Sequence, residues 1–84
     1  MSYELIFDED ALKSLEKLDK GIASRIFSKV ILSRSDPFHF FKRLEGRPEY
    51  SLRVGDYRVI ADISMEKRMI AVLVIGHRKN VYER

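Results

Sequence analysis

Apolar and polar residues alternate from Tyr50 to Ile60 on either side of Gly55-Asp56. Alternation about a two-residue glycine turn predicts a β-hairpin. Its register sets Val54 opposite Tyr57, Arg53 opposite Arg58 and Leu52 opposite Val59. Tyr50, Leu52, Val54, Tyr57, Val59 and Ala61 then share one face, the expected core side. Glu49, Ser51, Arg53, Arg58, Ile60 and Asp62 share the other, a polar face that should open toward the basic C-terminal tail. Like charges directly across a ladder are unfavourable, so an arginine pair kept there points to an anionic ligand. The planar guanidinium fork suits phosphate.

The rest of the chain supplies the hairpin's neighbours. Tyr3–Phe7 reads as a strand. Asp8 is placed to cap a helix, with Glu9 and Asp10 in the favourable first turn. Ala11, Leu12, Leu15 and Leu18 recur at helical spacing. Asp19-Lys20-Gly21 breaks the pattern, and a second helix is expected from about Ile22 to Ser33, with Ile22, Ala23, Ile26, Phe27, Val30 and Ile31 as its apolar stripe. Both stripes are expected in the core. Residues 34–48 carry turn signals at Asp36-Pro37 and Arg47-Pro48; the aromatic run Phe38–Phe41 between them is expected at the core edge. The second strand of the hairpin continues through Ala61, Asp62 and Ile63 to a turn near Met65-Glu66-Lys67, and residues 68–76 are apolar on both faces, which places that strand inside the sheet. The fold class is therefore α+β, in the order β-α-α-β-β-β. A two-helix antiparallel hairpin packs on one face of a small, mainly antiparallel four-stranded twisted sheet.

Composition narrows this further. Eighty-four residues make a single domain, residues 1–84. Cysteine is absent, so neither disulfides nor thiolate metal sites are available. No membrane span or signal-peptide pattern is present, and a cytoplasmic location is expected. Net charge is +3, unevenly placed. Residues 1–41 hold six Lys/Arg and seven Asp/Glu, whereas residues 42–84 hold ten and six. The basic half contains the hairpin, which favours an anionic partner there, nucleic acid first.

The candidate chemistry follows from what is missing as well as what is present. Two isolated histidines do not make a metal site, and there is no phosphate-binding glycine loop or nucleophile elbow. No metal and no cofactor are expected. Arginine, histidine and tyrosine beside one sheet face fit metal-free phosphodiester chemistry. Arginines hold the phosphate and its developing charge, a His, Lys, Tyr or Glu moves protons, and RNA brings its own nucleophile, the 2′-hydroxyl. Arg53 and Arg58 have a plainer alternative, surface ion pairs with Glu49 and Asp62. His77 could equally be a packed or capping residue, and Tyr82 a packing lid or a base-stacking ring.

Two motifs together, Val54-Gly55-Asp56-Tyr57-Arg58-Val59-Ile60 and Gly76-His77-Arg78-Lys79-Asn80-Val81-Tyr82, closely resemble the RelE/ParE superfamily of toxin–antitoxin toxins, RelE-like branch. The strand followed by Ala11-Leu12-Lys13-Ser14-Leu15, and Leu44-Glu45-Gly46 before the hairpin, extend the resemblance over essentially the whole chain. The resemblance implies a ribosome-dependent mRNA endonuclease that cuts in the A site without metal, by 2′-hydroxyl attack leaving a 2′,3′-cyclic phosphate. It also implies a RelB-like antitoxin that wraps the toxin and alone binds operator DNA, with no membrane partner. On this alignment Arg58 orients the scissile phosphate, Arg78 is the family's tail arginine, and Tyr82 stacks on or orients the nucleotide. Arg58, Arg78, Tyr82 and His77 are the expected catalytic residues; Arg53, Lys42, Arg43 and Lys79 are the expected substrate-binding ones. The chain departs from the best-studied pattern where two lysines of the first hairpin strand are replaced, at Glu49 and Ser51. His77, Tyr82, Glu45 or Lys42 could take over proton transfer.

Two other readings stay open from the sequence. One is a ParE-type toxin acting on DNA gyrase; such chains generally lack a tail with both Arg78 and Tyr82. The other is a catalytically weak toxin acting mainly as co-repressor with its antitoxin.

Overall fold

The structure, a computed structural model, describes residues 2–81. The elements run β1 (Glu4–Phe7), α1 (Glu9–Lys17), α2 (Lys20–Leu32), a 3-10 turn (Ser33–Ser35), α3 (Pro37–Phe40), β2 (Lys42–Arg43), β3 (Tyr50–Val54), β4 (Tyr57–Ser64), β5 (Met69–His77) and α4 (Arg78–Val81). They form one sheet in the order β1-β5-β4-β3-β2, with β1 parallel to β5 and every other pair antiparallel. The α+β class and the internal position of β5, flanked by β1 and β4, match the sequence reading. The strand and helix counts do not: the sheet has five strands rather than four, and α3 and α4 join the two long helices. β2 escapes a pattern reading because two residues carry no period. Only its pairing, Lys42 with Ser51 and Arg43 with Tyr50, makes it a strand.

The hairpin forms in the expected register, Val54 with Tyr57, Arg53 with Arg58 and Leu52 with Val59. Gly55 sits at φ 58° in the first turn position, a left-handed conformation that costs a residue with a Cβ roughly 1–2 kcal/mol. Leu52, Val54, Val59 and Ala61 are buried on the helix side, joined by Ile70, Val72 and Ile75 of β5. Ile26 and Val30 of α2 and Ala11 of α1 close that core from above, and Phe41 seals one edge.

The helices start where acidic residues stand. Asp19 caps α2, its carboxylate accepting a hydrogen bond from the Gly21 backbone N–H at 3.1 Å. The cap lets α2 begin at Lys20, two residues before the first apolar residue of its stripe. Asp8 takes the N-cap position of α1 through its backbone alone, its carbonyl accepting from Leu12 N–H. Pro37 opens α3 at a position where its missing N–H costs nothing. The apolar stripes are broader than the core can use: Leu12, Phe27 and Ile31 remain 44%, 45% and 38% exposed, against the expectation of full burial.

β5 carries an irregularity that its unbroken apolar run conceals. Ile60 pairs with Val74 but Ala61 pairs with Val72, so Leu73 is an extra residue, a β-bulge. The bulge lets Val72 and Ile75 both face the helices across from Ala61 and Val59.

Candidate active site

Cross-strand partners share a face, so the register sorts the candidate residues directly. Lys42 with Ser51, Arg53 with Arg58, Ile60 with Val74, and Gly76 with Arg58 lie on the face away from α1 and α2. Arg78 joins them: its backbone N–H donates to the Asp56 carbonyl at 2.8 Å, two residues along from the Arg58–Gly76 pair on each strand. The turn and the end of β5 thus bring the Arg78 backbone to the end of the sheet where Arg53 and Arg58 stand.

No acid among the described residues neutralises Arg53 or Arg58. Among the described residues, Glu49 pairs with Arg47 at 3.3 Å, and neither Arg53 nor Arg58 enters an ion pair. Arg58 is half-buried and folds back on its own turn, Nη1 donating to the carbonyls of Gly55 at 3.1 Å and Tyr57 at 2.9 Å. Those bonds fix the guanidinium while using one nitrogen, so the rest of the fork is available to an anion. Arg53 is exposed, and Lys29 of α2 braces its backbone, Nζ donating to the Arg53 carbonyl at 2.9 Å.

The face is not uniformly open, as the alternation suggested. Ile60 is 3% exposed because α4 folds over it. Val81, itself 4% exposed, packs against Gly76 so closely that a Cβ at residue 76 would stand 3.0 Å from Val81 Cγ2. Gly76 is therefore the point at which the tail crosses the sheet. Ile60, Leu73, Val74 and Val81 form an apolar floor of a cleft of about 380 Å³, rimmed by Asp8, Arg47 and Glu49.

Two expected members fall elsewhere. His77 pairs with Tyr57 on the helix side, its ring edge-on to the tyrosine at 5.5 Å, and its Nδ1 accepts from the Lys79 backbone N–H at 3.2 Å. Of the readings the sequence left open for His77, the geometry is that of a residue that packs and caps α4. Arg43 shares the helix side with Tyr50 and lies over its ring at 5.8 Å, while its neighbour Lys42 faces the arginines. Strand alternation alone separates the two. Lys79 is exposed on α4, Glu45 is exposed in the loop after β2, and Tyr82 lies outside the described residues. The sequence reading missed the covering role of Val81 and the bulge at Leu73. The pairing of Gly76 with a later apolar residue at helical reach was the available signal.

The family model described as the ParE toxin of the type II toxin–antitoxin system, parDE, matches residues 5–82. The chain is 30% identical to the mRNA interferase toxin RelE of Escherichia coli strain K12 over 82 residues, covering 94% of this chain and 86% of that one. The chain belongs to the RelE/ParE toxin superfamily. A RelE-like toxin protein of E. coli is 32% identical over the same shares of each chain. RelE/ParE structures share the fold: a toxin–antitoxin complex from Mycobacterium tuberculosis superposes with a TM-score of 0.82 at 26% identity, covering 93% of each chain. The archaeal RelE–RelB complex from Pyrococcus horikoshii superposes at 0.79 and 26%, covering 95% and 99%. The fold alone does not choose between activities.

Proposed function

We propose that this chain is the toxin of a type II toxin–antitoxin pair and cleaves messenger RNA in the ribosomal A site without a metal ion. The observation that carries this reading is the gathering of Arg53, Arg58 and Arg78 on one sheet end, without an acidic partner among the described residues. In the proposed reaction the 2′-hydroxyl oxygen attacks the adjacent phosphorus and loses its proton. The 5′-oxygen leaves and gains one, and a 2′,3′-cyclic phosphate remains. Arg58 and Arg78 hold the non-bridging oxygens as charge builds on them, Arg53 and Lys42 hold the neighbouring backbone, and Tyr82 orients the nucleotide. Lys79 follows Arg78 as a further phosphate contact. His77 acts as a positioning residue by fixing α4.

The partner proposed for the resting state is a cognate RelB-like antitoxin. Structures to which the chain is similar include toxin–antitoxin complexes from E. coli and M. tuberculosis, and Phe27 and Ile31, one turn apart on α2, offer exposed apolar surface for such a chain. The working location is the cytoplasm, where translating ribosomes are.

The ParE reading has one specific support, the description of the matched family model. Translating ribosomes exposed to the protein separate the two. A-site breaks in the message support the nuclease, whereas intact message together with gyrase-linked DNA breaks supports the gyrase poison and overturns the nuclease.

A further inference from the structure

Attack by a 2′-hydroxyl requires two proton transfers, one away from the 2′-oxygen and one to the leaving 5′-oxygen. The 5′-oxygen departs as an alkoxide unless it is handed a proton, and an ammonium group gives one to an alkoxide downhill. The side chains near the arginines differ in what they can give. Arg53 and Arg58 keep their protons, as every arginine does. Glu49 and Asp62 share the face but are carboxylates, acceptors rather than donors when ionised, and Glu49 is tied to Arg47 at 3.3 Å. His77 lies on the helix side, where its Nδ1 is taken by the Lys79 backbone N–H. Lys42 brings an ammonium.

The register puts that ammonium in range. Lys42 stands opposite Ser51 across the β2–β3 ladder. Its diagonal neighbours on β3 are therefore Arg53 and Glu49, about 7–8 Å away and within reach of a long side chain. Arg53 in turn stands opposite Arg58. β2 lies two strands from β4, about 10 Å, a gap that a lysine and an arginine can close around one phosphate. Lys42 is exposed and enters no ion pair with a described residue. Its neighbour Arg43 lays its guanidinium on the Tyr50 ring on the helix side, so position 42 alone of this basic pair faces the arginines.

We propose that Lys42, beyond holding the backbone, is the general acid that protonates the 5′-oxygen. This rests on the reading of the chain as a 2′-hydroxyl nuclease. The 2′-oxygen forms its bond to phosphorus and its proton leaves to water. The bond from phosphorus to the 5′-oxygen breaks, the electron pair goes to that oxygen, and the oxygen takes a proton from Lys42 Nζ. The neutral amine is reprotonated from solvent. Displacement in line sets the two oxygens on opposite sides of phosphorus. With the phosphate on Arg58, the nucleotide 3′ to the break then runs over Arg53 toward β2, and the attacking ribose lies toward β5 and α4.

The test is single-turnover cleavage on ribosomes of an ordinary message and of one whose scissile 5′-oxygen is replaced by sulfur. A thiolate leaves without needing a proton. Lys42→Arg keeps the charge but cannot give up a proton. It should cut the ordinary message about 10²-fold more slowly than wild type and the sulfur message at close to the wild-type rate. Its melting, and its affinity for ribosomes carrying a 2′-deoxy message, should not change. Lys42→Ala should show the same sulfur-relieved defect together with weaker binding. A wild-type rate for Lys42→Arg on the ordinary message would overturn the assignment. So would a defect that sulfur does not relieve, which leaves Lys42 a phosphate ligand alone. A sulfur-relieved defect in Lys79→Arg or Tyr82→Phe in place of Lys42→Arg would move the donor to the tail and overturn it as well. These outcomes leave the nuclease standing. If the wild type cuts neither message, the nuclease reading falls and the assignment falls with it.

Discussion

Arg53 and Arg58 stand opposite each other and neither enters an ion pair with a described residue. Like charges in that position oppose folding by roughly 0.2–1 kcal/mol, so Arg53→Gln should raise the melting temperature slightly at low salt. The gain should vanish at about 1 M salt, where the Debye length falls to roughly 3 Å, and the variant should lose RNA affinity; calorimetry at two salt concentrations checks the sign. Arg58 differs because its guanidinium is already fixed by two carbonyls of its own turn. Removing a preorganised donor to developing charge typically costs about 10²–10³ in turnover. Arg58→Ala is expected to lose that much cleavage and to relieve growth arrest while keeping a native circular dichroism spectrum. The hairpin arginines were legible in the sequence because alternation fixes faces. Arg43 and His77 were not separable from them by composition, since neighbouring cations on a strand or at its end look alike until the pairing is known.

α4 is a single turn, and its place depends on Gly76. A methyl group there would meet Val81 Cγ2 at 3.0 Å, and overpacking of this kind costs about 1–3 kcal/mol. Gly76→Ala should therefore lower stability modestly and, by lifting α4 from the sheet, reduce activity more than Arg53→Gln does; parallel melting curves and cleavage rates test this. The longer elements were readable from their periods: α1, α2 and β3 to β5 lie close to where the apolar spacing put them. The short ones were not. β2 and α4 are two and four residues long, too short to show a period, and are made by tertiary contacts alone. The Leu73 bulge hid in a run that is apolar on both faces and so gives no register.

At the scale of the whole molecule, the sheet divides the domain into a helix side that holds the core and an opposite side that carries Arg53 and Arg58, the side proposed to take the RNA. Ile26 is fully buried between α2 and the sheet; Ile26→Ala should cost about 2–5 kcal/mol and is a folding variant, measurable by denaturant titration, not a test of the site. Phe27 and Ile31 are the opposite case. Replacing both with Ser should lower stability, because Phe27 stacks on Phe7 with ring centroids 6.0 Å apart, and should weaken capture by a co-expressed antitoxin, read out as restored toxicity of the still-folded variant. The uneven charge seen in the sequence corresponds to this division only in part, because Arg25 and Lys29 of the acidic half join the basic collar around the hairpin turn.

The most direct measurement places a single 2′-deoxy nucleotide in the A-site codon of a message on stalled ribosomes. Wild-type protein is expected to cut the all-ribose message, leaving a 2′,3′-cyclic phosphate, and to spare the message at the deoxy position, while Arg58→Ala is expected to lose cutting of the all-ribose message. Cleavage that persists through the deoxy position, or that survives loss of Arg58, would contradict the account.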